Sequence, residues 1–169
     1  MESRAKLFGH ALHPILIVFP LGLLATGVIF DVVYLVWGNP TMATVAHWMI
    51  VAGILGGFAA APFGWIDWFA IPAGTRAKSV GLLHGLGNNV VLLLFIASWW
   101  LRRDAPETPE TLAHILSFAG AGLALFTGWL GGELVERLGV GVDDGAHLDA
   151  PNSLSGRPAH ENAAGTKRV

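Results

Sequence analysis

The sequence predicts an all-α membrane protein, a four-transmembrane-helix up-down bundle. Three observations predict it. The chain is 53% hydrophobic and only 13% charged, whereas a soluble domain carries about 25% charged residues. Its mean hydropathy is +0.57. Four apolar runs, separated by turns or charged loops, each reach the roughly 20 residues that a spanning helix needs.

The elements follow in order. Residues 1–9 are short and basic, with Arg4 and Lys6. The first span covers residues 13–37, too long a run for the apolar part of a cleavable signal. Pro14 suits a first helical turn, and Pro20 is expected to kink the helix. Gly38-Asn39-Pro40 is a turn signal. The second span covers residues 46–69, with Pro62 expected to interrupt it. A break at residues 71–74 precedes Arg76 and Lys78. The third span covers 79–103, a charged loop follows, and the fourth covers 112–138. The expected division is therefore a membrane domain, 1–142, and a polar, disordered cytoplasmic tail, 143–169.

Orientation comes from the cationic residues. Arg4, Lys6, Arg76, Lys78 and Arg137 flank one side, against Arg102 and Arg103 on the other. The positive-inside rule then places both termini in the cytoplasm. Trp37, Trp48, Trp68, Trp99 and Trp100 fall near the expected interfaces, where aromatic belts form. Small residues recur at four-residue spacing: Gly53, Gly57 and Ala61; Gly81 and Gly85; Gly128 and Gly132. Close helix packing is the favoured reading, and room for a flat cofactor is the other.

Composition narrows the function. A net charge of −2 argues against nucleic acid as a partner. With no cysteine, disulfides, thiolate zinc sites, cysteine-held iron–sulfur clusters and c-type haem are excluded. There is no phosphate loop, HExxH motif or nucleophile–base constellation. The chain reads as an electron-transfer subunit at most, not an independent enzyme. The seven histidines become the main supply of metal ligands.

Ionisable residues at membrane depth are costly and mark candidate sites. In the expected topology they form two layers. His10, His13, Asp67, His84 and Glu133 gather near the cytoplasmic face, and Asp31, His47 and His114 near the outer face. His47 and Asp67 are 20 residues apart on one helix, or about 30 Å, so the layers are separate. Diagonal helices of the bundle would bring His13 to His84 and His47 to His114. Opposed imidazoles are the axial ligand set of a b-type haem, so one or two haem b groups are expected. Asp67 and Asn88 would steady the inner ligands from behind. Blander roles compete: Asp67 could pair with Arg76, Glu133 with Arg137, and Asp31 could lie at headgroup level. His10 could face headgroups, and His147 and His160 are expected to be solvated in the tail.

The segments GHALHPILIVFPLGL, GWIDWFAIPAGTRA, GLLHGLGN and GWLGGELVERLGVGV resemble the DUF2231 family of predicted bacterial membrane proteins. The resemblance runs from about residue 9 to 142. It implies a four-helix membrane domain found in bacteria and archaea. Some relatives are joined to Rieske-type or cytochrome domains, which implies redox work near a respiratory chain. His13, Asp67, His84 and Asn88 match the family's polar positions, and Gly128, Gly131 and Gly132 its glycines. Where relatives often carry histidine or tyrosine, this chain has Glu136 and Arg137.

The leading expectation is a membrane haem protein in which a quinone or a separate redox protein supplies the electron. The bilayer is its first partner, and a homodimer is a further expected assembly. The alternatives are a non-haem metal or proton site in a small transporter or sensor, and a cofactor-free structural subunit.

Overall fold

The structure, a computed structural model, describes residues 1–163. Two short strands, β1 (Lys6–Leu7) and β2 (His10–Ala11), pair antiparallel with Leu7 opposite His10. Helices α1 (Leu12–Leu16) and α2 (Val18–Trp37) make one span, followed by α3 (Pro40–Ala70), α4 (Arg76–Arg102) and α5 (Thr111–Gly132). A π-helical turn, Glu133–Arg137, ends α5, and a 3-10 turn lies at Ser153–Ser155. Among the described residues, four helices are long and apolar enough to cross a membrane, as expected.

Local chemistry sets the boundaries. Gly38 takes the left-handed conformation (φ +66°) that closes α2. The Asn39 side chain accepts from Thr41 N at 3.0 Å and Pro40 opens α3. Thr75 accepts from Lys78 N at 3.1 Å and caps α4. The two prolines behave differently. Pro20 has no N–H for the Leu16 carbonyl, and the regular pattern lapses for one residue, Ile17, whose backbone stays helical (φ −66°, ψ −16°) and bonded to His13 and Leu21. Pro62 was expected to interrupt the second span, but α3 runs through it unbroken. Its ring lies on the exposed face, and membrane helices tolerate one missing donor when neighbouring turns keep theirs.

The bundle is two helical hairpins. Helix α2 packs chiefly on α3 and α4 on α5, while α2 and α5 meet sparsely. Leu24, Ile50, Ile54, Val91 and Phe95 form the shared core. Large apolar side chains such as Ile29, Leu55, Leu93 and Leu125 stand exposed around the outside, as a lipid-facing surface requires.

The hairpins repeat one another. A step of 71 residues carries His13 to His84, Leu24 to Phe95, Gly27 to Ser98 and Asp31 to Arg102. A step of 67 carries Ala46 to Ala113, His47 to His114, Gly53 to Gly120, Ala60 to Thr127 and Gly64 to Gly131. The contacts repeat too. A Cβ on Gly53 would stand 2.5 Å from Leu24, and one on Gly120 would stand 2.9 Å from Phe95. Both hairpins begin at the same end, the pattern of a parallel repeat about an axis along the membrane normal.

Most small-residue positions serve packing, as favoured. Gly57 abuts Leu92, Gly81 abuts Trp68 and Gly85 abuts Trp65. Gly128 and Gly132 differ, with nothing within 4 Å of an added Cβ.

The N- and C-terminal segments cover the end of the bundle that carries the α3–α4 loop, here termed the terminal end. The Met1 ammonium donates to Gly139 O at 2.9 Å, and Leu12 N to Ala5 O at 2.8 Å. Lys6 pairs with Asp143 and Glu2. Its hydrogen bond to Asp143, then that to Glu2, raises the Lys6 pKa; the bond from Lys6 lowers that of Glu2. Glu2 therefore favours this arrangement above its ordinary carboxylate range, and that contribution fades as pH falls through its depressed pKa. Residues 143–163 of the expected tail form turns, in which His147 bonds the Glu161 carbonyl at 3.1 Å. Residues 164–169 of that tail lie outside the described residues.

The glycine contacts give a paired prediction. Gly53→Ala should destabilise the protein by about 1–3 kcal/mol through overpacking. Gly128→Ala should be neutral or stabilising by up to about 1 kcal/mol, since alanine is the better helix former. Thermal melts of both variants in one detergent check the difference.

Candidate functional site: two polar layers between the helix hairpins

The layer at the terminal end is built on His13 and His84. His13 sits in the first turn of its span, and Nδ1 lies 3.0 Å from the Ala60 carbonyl of α3. His84 lies inside α4, and Nδ1 is 2.8 Å from the Thr127 carbonyl of α5. A carbonyl can only accept, so each Nδ1 carries the hydrogen and each Nε2 keeps a lone pair. The residue four places after each carbonyl is glycine. A Cβ on Gly64 would stand 2.9 Å from the His13 ring, and one on Gly131 would stand 3.1 Å from His84. The bare helix face is what lets each imidazole reach the main chain. One seat is thus made twice, once per hairpin, and the two rings meet edge to face with centres 6.3 Å apart and planes at 86°.

Asn88 joins this layer in a different role from the one expected. The Nδ1–H of His84 goes to Thr127 O, not to Asn88. The Asn88 amide nitrogen stands 3.2 Å from His84 Nε2, and its Oδ1 accepts from Thr127 Oγ1 at 2.9 Å. Asp67 is not behind a ligand histidine. Its carboxylate accepts from Ser3 Oγ at 2.8 and 2.9 Å and from Arg4 N at 2.7 Å, so it holds the N-terminal segment. The charge pairs also cross over: Arg76 binds Glu133 at 2.8 Å, in place of Asp67–Arg76 and Glu133–Arg137. His10 stands outside the layer, exposed, with Nε2 3.4 Å from Ser153 Oγ.

At the opposite end the centre is an ion pair. Asp31, expected at headgroup level, is fully buried, and so is Arg102. The guanidinium binds the carboxylate through two nitrogens, at 2.7 and 3.1 Å. It also donates to Ser98 Oγ at 2.9 Å and Ala113 O at 3.3 Å, while Ser117 Oγ donates to Asp31 at 2.8 Å. This bidentate geometry is the strong form of a charged hydrogen bond.

His114 stacks on Tyr34, with ring centres 5.7 Å apart, and its Nε2 is 3.8 Å from Asp31. His47 lies edge-on to Trp48. His47 and His114 make no ring contact with each other, unlike His13 and His84. Each leaves one buried nitrogen without a hydrogen-bond partner. Arg102 was legible only as a span-end charge. The signal that could have found its role is depth, because Asp31 and Arg102 occupy equivalent places in the two repeats.

Comparison with known protein families matches residues 9–144 to DUF2231, described as a predicted membrane protein. The chain belongs to that family, and it is an integral membrane protein. No curated protein and no solved structure matches it.

Breaking a buried pair leaves one charge uncompensated and costs about 3–5 kcal/mol. Asp31→Ala should therefore destabilise the bundle by that amount. Asp31→Leu combined with Arg102→Met should cost far less, since both charges leave together. Denaturant unfolding in mixed micelles checks both, and equal losses would contradict the pairing.

Proposed function

We propose that this DUF2231 protein binds one b-type haem between His13 and His84 and carries electrons in the bacterial inner membrane, with both termini cytoplasmic. The observation that supports this most is the duplicated imidazole seat. Each ring is fixed through Nδ1–H to a main-chain carbonyl, which leaves Nε2 as the metal-binding nitrogen. Two imidazoles held on one metal by bonds of about 2 Å put their ring centres about 6 Å apart, and here the centres are 6.3 Å apart.

The rest of the layer favours haem over a bare metal ion. Asp67 and Glu133 are engaged elsewhere, so the donor set is two nitrogens without a carboxylate. That set suits an iron whose other bonds come from a porphyrin. Two glycines leave bare backbone near this layer. Gly128 follows Ser117 by eleven residues, about three turns, and Gly132 follows His114 by eighteen, about five turns. Both glycines thus share the α5 face that meets α2 at the opposite end, yet meet nothing at their own level. When bound, haem would supply a one-electron carrier. The carbonyls of Ala60 and Thr127 hold the rings, and the Asn88 amide must give way from His84 Nε2. A quinone or a redox protein supplies the electron. His47 and His114 are left out of the ligand set.

One observation favours a cofactor-free structural subunit. Thr127 Oγ1 donates to Asn88, Asn88 donates to His84, and His84 donates back to Thr127 O. That circuit is closed without a ligand, as helix-gluing networks are.

Visible spectra of the purified protein, oxidised and then dithionite-reduced, separate the two readings. The wild type, expressed with a haem precursor, should show a Soret band, with α and β bands on reduction. His13→Ala and His84→Ala should each remove the low-spin bands. A colourless wild type overturns the haem reading, and unchanged spectra in both variants overturn the ligand assignment.

A further inference from the structure

The β1–β2 hairpin ends in a turn whose central residues both have positive φ, Phe8 at +51° and Gly9 at +82°. Two-residue turns of this kind favour Asn-Gly, because asparagine tolerates the left-handed region and a bulky side chain does not. Here the strained position holds phenylalanine, 74% exposed, next to Leu7 at 48%. Gly9 packs against Ser153 of the C-terminal segment, but the described residues leave the Phe8 side chain largely uncovered, and an aromatic kept at a strained, exposed tip calls for a further contact.

The repeat indicates what that contact is. In the second hairpin, α4 begins at Arg76, eight residues before His84. In the first, the helix begins at Leu12, directly before His13. The residues one repeat-step before the opening of α4 are those of the β-hairpin, so the strands stand where α4 has its first two turns. Those turns carry an interfacial anchor: the Lys78 ammonium lies 3.9 Å from the Trp68 ring centre and donates to Trp68 O at 2.7 Å. The hairpin is continuous with the lipid-facing surface, since Ile15, Val18 and Phe19 follow it and are exposed.

We propose that the Leu7–Phe8 tip inserts into the bilayer at the headgroup–acyl boundary and anchors the first hairpin there. Aromatic side chains suit that depth. The anchor fixes the level of His13, because Leu12 N is tied to Ala5 O and Asp67 holds Ser3 and Arg4. The inference rests on the membrane location and not on haem.

The chain has no cysteine, so Leu7→Cys gives one site for a nitroxide label and leaves Phe8 in place. The labelled full chain is placed in nanodiscs of phosphatidylcholine and phosphatidylglycerol. Collisions with oxygen and with a water-soluble nickel chelate are then compared. Leu93→Cys, on a lipid-facing span, and Leu148→Cys, fully exposed, are the references. The label at 7 should resemble that at 93, with an oxygen-to-nickel ratio several-fold above that at 148. Adding Phe8→Asn, which suits the turn, should move the ratio toward that of 148. A label at 7 that behaves like 148, or that is shielded from both reagents by protein, overturns the proposal. A lipid-like signal that survives Phe8→Asn overturns the part assigned to Phe8.

Discussion

The Asp31–Arg102 pair is the constraint on which the bundle depends. Both side chains are fully buried, in a region where water cannot satisfy them and an isolated charge is very costly. Asp31 belongs to α2 and Arg102 to α4, so the pair can form only when the two hairpins are docked in one register. Ser98 and Ser117 fill the remaining bonding positions of the pair. A satisfied buried network rigidifies its surroundings. The pair itself is satisfied, while His47 and His114 at the same end each keep one buried nitrogen without a hydrogen-bond partner, and α2 meets α5 there through Asp31–Ser117 and Tyr34–His114.

Duplication explains why this pair discriminates. Asp31 and Arg102 occupy equivalent places in the two hairpins. Two copies of the first hairpin docked in the same way would bring aspartate to aspartate, and two copies of the second would bring arginine to arginine. Each wrong pairing buries like charges, and the right one cancels them. Opposite charges at one symmetric position thus select hairpin one against hairpin two, a registry role that buried polar groups are known to play. At the terminal end the same symmetry is kept, with the histidine, the accepting carbonyl and the glycine all repeated.

Hydropathy made the four spans legible because membrane depth imposes length and composition together. The turn at Gly38-Asn39-Pro40 and the cap at Thr75 are local chemistry, and local chemistry can be read directly. The layers were legible as depth, which follows from counting along a helix. Which partner each residue takes was not, because that depends on helix rotation and on segments outside the spans. Asp67 has the right depth for a ligand's support but points to Ser3 and Arg4, on a segment whose fold no periodicity announces. Pro20 and Pro62 look alike in sequence, yet only Pro20 is accompanied by a one-residue lapse in its helix. The spacing of His13 to His84 and of His47 to His114 held the repeat, but two unequal steps, separated by loops of different length, hide it from a single period.

The two ends of the bundle differ in what their symmetry permits. At the far end the repeat is broken by charge, and its cost is met inside the protein by Asp31, Arg102 and the two serines. At the terminal end the repeat is preserved, and equivalent imidazoles approach one another with their Nδ1 atoms already bonded. The layer also lies beside the N-terminal hairpin, the α3–α4 loop and the π-helical turn. Those segments are tied over the terminal end by Asp67, Met1 and Lys6, while the charged pair keeps the hairpins in register from the far end.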